Sequence, residues 1–151
     1  MPDQPFFLDL TIRPPRSPRV RLGGYVILPR MLDKGRATLA GKNSEFHYNC
    51  PLDQQFLTFA GVDAEALKAE LAKGASDTEV LAWIQQHGTN PRLAPEIAAW
   101  SAYQEQRGPS EVGAREYFHA LHVAVAPKRA DVSSWFDILD IDDYASYGGK
   151  A

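Results

Sequence analysis

The chain has 151 residues, a net charge of −3 and 44% hydrophobic residues, which is the composition of one ordinary globular domain. Three Trp, six Tyr and seven Phe can fill a buried core, which excludes an intrinsically disordered chain. A single cysteine, Cys50, excludes an internal disulfide. The chain has no long apolar run, so we expect it neither to span a membrane nor to bind one.

Charge is distributed unevenly along the chain. Residues 1–50 carry eight Lys/Arg against four Asp/Glu, residues 51–100 carry three against seven, and residues 101–151 carry five against eight. We therefore expect the basic first third to pack against the acidic remainder. The acidic balance predicts no nucleic-acid partner, because nucleic-acid-binding domains are typically basic. The N-terminus has no basic and apolar leader, so we expect a cytoplasmic protein.

Residues 1–24 are predicted to form an extended arm. Prolines restrict the backbone of this segment and of the residues that precede them, which disfavours a helix. The arm is rich in proline and arginine: Arg13, Pro14, Pro15, Arg16, Pro18, Arg19 and Arg21.

The first helix is predicted from about Leu28 to Ala40. Pro29 suits its first turn, and Gly41 suits the position just after its end. The residues that repeat at helical spacing, and are expected on its buried face, are Leu28, Met31, Leu32, Gly35 and Leu39.

Shorter helices are predicted through the rest of the chain. Two starts are open for one of them, Asn90 before Pro91 or Ala94 before Pro95, and the last is expected to end near Leu139. The residues expected to cap the other helices are Asp53, Asp63, Ser76, Ser110 and Asp131. The sequence thus predicts a mainly α, single compact domain of about six short helices, with an arm over 1–24, a helical core over 25–146 and a tail over 147–151.

Residues 42–52 form a connector, and the strongest local signal for a site is the polar run Phe46–Gln54 that overlaps it, because loops on a rigid scaffold often carry binding groups. His47 within reach of Cys50 would activate a thiol nucleophile, and Asp53 would orient the imidazole. The alternative is structural: Cys50 is a small buried residue, Asp53 caps a helix and His47 bonds a backbone carbonyl.

A metal site is a second use for the same residues. His47 and Cys50 have the spacing His-x-x-Cys, and His119 and His122 have the spacing His-x-x-His. Three imidazoles and a thiolate suit tetrahedral zinc. The two pairs lie far apart in the sequence and there is no second cysteine, so we predict no bound metal and no other cofactor.

An anion site is predicted from the cations of the first third. Arg13 and Arg16 of the arm, with Arg30 and Lys34 of the first helix, would grip a phosphate or carboxylate. The alternative is an arm clamped onto the acidic helices by ion pairs. Acidic residues near the C-terminus lack the spacing of a calcium loop and are expected to form a solvated face or to dock the arm: Asp137, Asp140, Asp142 and Asp143.

Motifs along nearly the whole chain resemble a bacterial family catalogued as domain of unknown function 5069. They are Asp9-Leu10-Thr11, Arg13-Pro-Pro-Arg-Ser-Pro-Arg19, Leu22-Gly23-Gly24-Tyr25, Leu28-Pro29-Arg30-Met31-Leu32-Asp33-Lys34, His47-Tyr48-Asn49-Cys50-Pro51-Leu52-Asp53 and Trp135-Phe136-Asp137 with Asp140. The resemblance implies a small single-domain bacterial protein and no particular activity. The residues of these motifs that we take as site candidates are Arg13, Arg16, Arg30, Lys34, His47, Tyr48, Asn49, Cys50 and Asp53.

Two functions follow as hypotheses. In the first, the chain binds a small anionic metabolite between the N-terminal cations and the connector. Arg13, Arg16, Arg30, Lys34, Tyr48 and Asn49 would then bind the ligand, and His47, Cys50 and Asp53 would supply weak acid–base or thiol chemistry. In the second, the chain is a helical interaction or structural protein without a catalytic site. The sequence leaves open whether it is an enzyme and which oligomer it forms.

Overall fold

The computed structural model describes residues 5–151, so the first four residues of the predicted arm lie outside the described range. From residue 5 onward the chain forms seven α-helices and no strand, which confirms the mainly α prediction with one helix more than the expected six or so. The helices are α1 (Leu28–Leu39), α2 (Pro51–Ala60), α3 (Ala64–Ala72), α4 (Asp77–His87), α5 (Ala94–Gln106), α6 (Val112–Val125) and α7 (Trp135–Ser146).

Helix α1 lies at the centre of the fold. Every residue from Leu28 to Gly35 is buried, including the charged Arg30, Asp33 and Lys34, and α2 and α3 pack along it. Leu39, predicted on the buried face, is instead 46% exposed in the last turn, where fewer segments cover the helix. Because water is excluded from most of α1, its charged side chains need partners inside the protein.

The apolar core is divided into two clusters. The larger surrounds α1, and in it the rings of Tyr25 and Phe56 meet edge to face with their centroids 5.1 Å apart. The smaller lies between α6 and α7 and contains Phe118, Val132 and Ile138. Helix α6 packs chiefly against α7 and buries only Phe118. Within residues 5–151, no helix has the length and apolar character needed to cross a bilayer.

Helix α2 begins earlier than predicted. Cys50 is its N-cap residue and Pro51 its first residue, so Asp53 is the third residue of the helix and not its cap. The Asp53 carboxylate accepts a hydrogen bond from the backbone N–H of Asn49, 2.9 Å away. Asp53 therefore still satisfies a backbone donor at the start of α2, but it does so from inside the helix.

Helix α7 differs more from the prediction. Ser134 and Asp137 form a capping box at its start, while the expected cap, Asp131, pairs with Arg129. The helix continues to Ser146, beyond the predicted end, so most of the acidic segment near the C-terminus is helical.

Helices α3 to α6 begin at or next to the predicted residues. Asp63 and Ser76 cap α3 and α4 as predicted. Ala94 begins α5, which decides between the two open starts. At α6 the prediction was wrong by one position, because Glu111, and not Ser110, is the N-cap residue.

The arm is fastened to the acidic helices by ion pairs. Arg19 pairs with Asp137 and with Asp140, whose carboxylate lies 3.1 Å from Nε. Arg21 pairs with Glu105 of α5 at 3.0 Å. This is the contact between basic and acidic parts that the uneven charge predicts.

Candidate functional site

A cavity of about 660 Å³ lies between α1, the connector before α2, and helices α6 and α7. Its volume is that of a small-molecule site. Its lining includes two cations of α1, Arg30 and Lys34, and two candidate residues of the connector, His47 and Cys50. We call this cavity the connector pocket; its chemically active lining residues are Arg30, Lys34, Glu45, His47, Cys50, Asp142 and Asp143.

Lys34 links the thiol to a buried carboxylate. Its ammonium nitrogen Nζ lies 2.9 Å from the carboxylate of Asp53 and 3.2 Å from Sγ of Cys50. The Lys34 side chain is 4% exposed and that of Asp53 is fully buried. Asp53 thus holds the ammonium against the sulfur, and a neighbouring cation is the environment typical of reactive cysteines.

His47 does not contact Cys50 and Asp53 in the way expected of a residue that activates the thiol. No hydrogen bond among the described residues joins His47 to either of the other two. Asp53 bonds Lys34 and Asn49, and Cys50 contacts Lys34. His47 is an exposed residue on the pocket wall. The lysine, and not the histidine, is therefore the charged neighbour of the thiol.

Arg30 forms the second buried ion pair of the pocket. It donates from Nη1 to Asp143 at 2.7 Å and from Nη2 to the other Asp143 oxygen at 3.4 Å. Nη1 also lies 3.3 Å from the carbonyl oxygen of Arg16, and the Phe46 ring lies 5.6 Å from the guanidinium carbon. Burial raises the pKa of Asp143 more than the hydrogen bond and charge of Arg30 lower it. These contacts hold the guanidinium in one place at the pocket wall.

Asp142 is the half-buried charge of the pocket that lacks a cationic partner, although the hydroxyl of Ser146 forms a hydrogen bond with its carboxylate. Over residues 5–151 it forms no ion pair, although its neighbour Asp143 is bound to Arg30. Burial, and then the charge of Asp143, raise the pKa of the Asp142 carboxyl above its ordinary value. Asp142 is consequently available to a donor from outside the chain.

Arg16 does not reach the connector pocket. It lines a separate cleft of about 670 Å³ between the arm and α4. There it pairs with Asp33 at 3.0 Å and with Asp77 at 2.8 Å, and Arg36 also pairs with Asp77 at 2.8 Å. The reason is local: Asp33 is 2% exposed on α1 and Arg16 is the cation that neutralises it.

Three other candidates also lie away from the pocket. Arg13 is exposed and forms no ion pair within the described range. The Tyr48 hydroxyl donates to the carbonyl of Ala64 at 2.6 Å, and burial raises its pKa. Asn49 adopts a left-handed backbone with φ of 63° in the turn before α2. Tyr48 and Asn49 therefore position the connector and do not line the cavity.

The four candidate zinc ligands are not brought together. Within residues 5–151, no three His, Cys, Asp or Glu side chains form a group that could hold a metal ion. His119 is exposed on α6, and Nε2 of His122 lies 2.6 Å from the carbonyl oxygen of Arg129. The two α6 histidines are thus part of a helix surface.

The arrangement can be compared with known protein families. The profile of the family described as Domain of unknown function (DUF5069) matches residues 12–145. The chain belongs to this family. No curated protein matches it. The DUF5069 match includes both buried ion pairs of the connector pocket, its thiol and Asp142.

Sequence reasoning missed the wall that α7 contributes to this DUF5069 pocket. Leu139, Asp142, Asp143 and Ser146 all line the cavity. Their spacing is i, i+3, i+4 and i+7, which places them on one helical face. The signal was present in the sequence, but it is visible only if the last helix is extended past Leu139.

Proposed function

We propose that the chain binds a small anionic metabolite in the connector pocket. The observation that carries the proposal is that Arg30 and Lys34, one helical turn apart on α1, both line a cavity that His47 and Cys50 also line. Pockets of this size that gather a few fixed polar groups are the usual sites for small molecules.

Both cations keep hydrogen-bonding capacity for a ligand. A guanidinium has five N–H groups, and Arg30 uses three for Asp143 and the carbonyl of Arg16. A lysine ammonium has three, and Lys34 uses two for Asp53 and Cys50. The buried carboxylates thus fix the cations without saturating them, which is the preorganisation that favours binding.

The neighbouring groups suit weak thiol or acid–base chemistry on the bound anion. Cys50 lies beside the Lys34 ammonium, as nucleophilic thiols do, and the imidazole of His47 on the same pocket wall is a group that can act as a general acid or base. Such chemistry requires that the anion binds first, so binding is the step to test.

The test is a panel of carboxylated and phosphorylated metabolites, each measured by thermal shift and by protection of the thiol. Cys50 is the single cysteine, so its rate of alkylation by iodoacetamide reports on this pocket and on no other thiol. A ligand should raise the melting temperature, since it binds only the folded state, and should slow alkylation.

Two histidine variants serve as a matched pair in this test. His47→Ala removes an exposed residue that lines the pocket, and His119→Ala removes an exposed residue on α6. Ligand binding should weaken in the first variant and remain unchanged in the second. A panel in which no compound shifts the melting temperature or protects Cys50 would refute the proposal.

A second candidate is an interaction protein without a ligand. It is favoured by the apolar residues that α5 and α6 expose: Tyr103, Val112, Tyr117 and Val123 are 61%, 72%, 65% and 51% exposed. The test is the molar mass in solution over a range of concentrations. If the surface binds a second copy, Val123→Asp should shift the protein to monomer, whereas ligand binding by the pocket predicts no such change.

We also propose that the protein is located in a bacterial cytoplasm. The resemblance to a bacterial family and the single unpaired cysteine support a bacterial cytoplasm, where thiols stay reduced. Fractionation of cells that express the tagged chain tests this.

A further inference from the structure

We propose that the metabolite of the connector pocket is zwitterionic, with its anionic group on Arg30 and Lys34 and an ammonium group received by Asp142. The inference rests on the proposed function, because it names the class of ligand for the same cavity. The observation behind it is the set of carboxylates in the pocket that form no ion pair with Arg30 or Lys34.

The pocket has more negative than positive groups. Two cations line it, Arg30 and Lys34, against three carboxylates, Glu45, Asp142 and Asp143. A fourth carboxylate, Asp53, lies behind Lys34 and pairs with it. An anion with no positive group would thus enter a cavity that already has excess negative charge, and like charges oppose each other most strongly where water is partly excluded.

Asp142 is the group that an ammonium would satisfy. It lies on the pocket face of α7 next to Asp143, but Arg30 is bound to Asp143, and Asp142 forms no ion pair with the described part of the chain. The Ser146 hydroxyl forms a hydrogen bond with this half-buried carboxylate, but no cation offsets its loss of hydration. A ligand ammonium would supply a charge-assisted hydrogen bond at that position, with exposed Glu45 adding negative charge at the same wall.

The mixed lining also excludes the two simpler ligand classes. A purely cationic ligand such as a polyamine would face the free N–H groups of Arg30 and Lys34. A metal ion would need several ligands, and the residues from 5 to 151 offer no group of three His, Cys, Asp or Glu side chains suited to it. One molecule that carries both signs satisfies both walls at once.

The experiment uses pairs of compounds that differ only in the amino group. Aspartate is compared with succinate, glutamate with glutarate, and γ-aminobutyrate with butyrate, each by calorimetric titration of the whole chain and by protection of Cys50 from iodoacetamide. We expect the amino member of at least one pair to bind about tenfold or more tighter, the ratio that about 1.4 kcal/mol of extra interaction produces.

Asp142→Asn assigns the effect to the proposed residue. It removes the charge and keeps the shape, so the preference for the amino compound should fall to about twofold or less, while the amine-free acid should bind as well as before or better. Asp140→Asn is the matched control on the same helix, because Asp140 pairs with Arg19 and does not line the pocket. This variant should keep the full preference.

The outcomes separate this inference from the function on which it rests. If amine-free acids bind as tightly as their amino partners, the ligand is recognised as an anion alone. If Asp142→Asn keeps the preference, the ammonium is received by a group other than Asp142. In either case this inference fails and the proposed function stands. If no compound of either kind binds or protects Cys50, both fail.

Discussion

The ammonium of Lys34 and the carboxylate of Asp53 form an ion pair of 2.9 Å inside the protein, with 4% of the lysine side chain exposed and none of the aspartate. The pair joins α1 to the first turn of α2 and sets the position of Lys34 beside Cys50. Two enclosed charges depend on each other, because neither can be solvated by water in the folded state. The pair thus fixes the position of Lys34, the member that lines the pocket.

Lys34→Met should lower the free energy of unfolding by about 3–5 kcal/mol, because it leaves the buried Asp53 carboxylate without its cation. Adding Asp53→Asn removes that uncompensated charge, so the double variant should be more stable than Lys34→Met alone. Urea unfolding followed by tryptophan fluorescence gives the three values of the cycle. Strictly additive losses would show that the two residues do not interact.

Arg16→Ala should destabilise the fold by about 2–4 kcal/mol. The guanidinium bridges buried Asp33 and half-buried Asp77, and removal of one partner of a buried pair leaves the other unpaired. Arg13→Ala provides the control, since this arginine of the same arm is exposed and a surface substitution changes stability by less than about 0.5 kcal/mol. Equal effects of the two substitutions would contradict the assignment of Arg16 as the clamp of the arm.

The sequence predicts the fold class well and the use of the charged residues poorly. Helical spacing identifies α1, and the signals at Asp63 and Ser76 identify the starts of α3 and α4, because these are local patterns of a few residues. Whether a lysine or arginine is free for a ligand is not local. It depends on which carboxylate lies beside it after folding, and the carboxylate partner of Arg30, Asp143, lies 113 positions further along the chain.

The candidate site was predicted in part for the same reason. The motif containing His47 and Cys50 and the cations of α1 do share a cavity. The arm was expected to supply arginines, yet Thr11 is the one residue of its described part that lines the pocket. Arg16, Arg19 and Arg21 of the arm instead pair with acidic side chains, since a buried carboxylate such as Asp33 requires a cation beside it.

Gly35→Ala tests the close approach of α1 to its neighbours. A Cβ at this position would lie 2.6 Å from Cδ1 of Leu71 and 3.3 Å from two ring atoms of Tyr48. Alanine gains up to about 1 kcal/mol of helix propensity, but overpacking of a tight core typically costs about 1–3 kcal/mol. We expect a net loss of about 1 kcal/mol in urea unfolding. Relief by the second substitution Leu71→Ala, relative to Leu71→Ala alone, would show that the contact with Leu71 is responsible, and a net gain in the single variant would refute the prediction.

Asn49 tests the backbone of the turn before α2. Its φ of 63° lies in the left-handed region, which asparagine tolerates and β-branched residues do not. Asn49→Val should therefore cost about 1–2 kcal/mol, and Asn49→Gly should leave stability within about 0.5 kcal/mol of the wild type. His47→Val, in the same connector but without a positive φ, should have little effect. A valine at 49 that proves harmless would mean that the turn can change its conformation.

Asp142→Asn should raise the free energy of unfolding at pH 7, by up to about 1 kcal/mol because the side chain is only partly buried. Burial, followed by the charge of Asp143, raises the folded pKa of Asp142 above 3.8, so between these two values the folded state binds more protons than the unfolded state. The favourable contribution of the protonated carboxyl is complete below pH 3.8 and is lost as the pH rises through the folded pKa. The advantage of the uncharged asparagine should accordingly be absent near pH 3.8 and grow toward pH 7.

Asp77→Asn should have the opposite pH dependence. Burial raises the pKa of Asp77, but the hydrogen bonds from Arg16 and Arg36 outweigh this effect, so the net pKa is lowered. That variant should lose stability at pH 7 and approach the wild type as the pH falls below 3.8. Unfolding in urea from pH 2.5 to 7.5 measures both profiles, and an Asp142→Asn protein less stable than the wild type at pH 7 would mean that Asp142 has a cationic partner inside the fold.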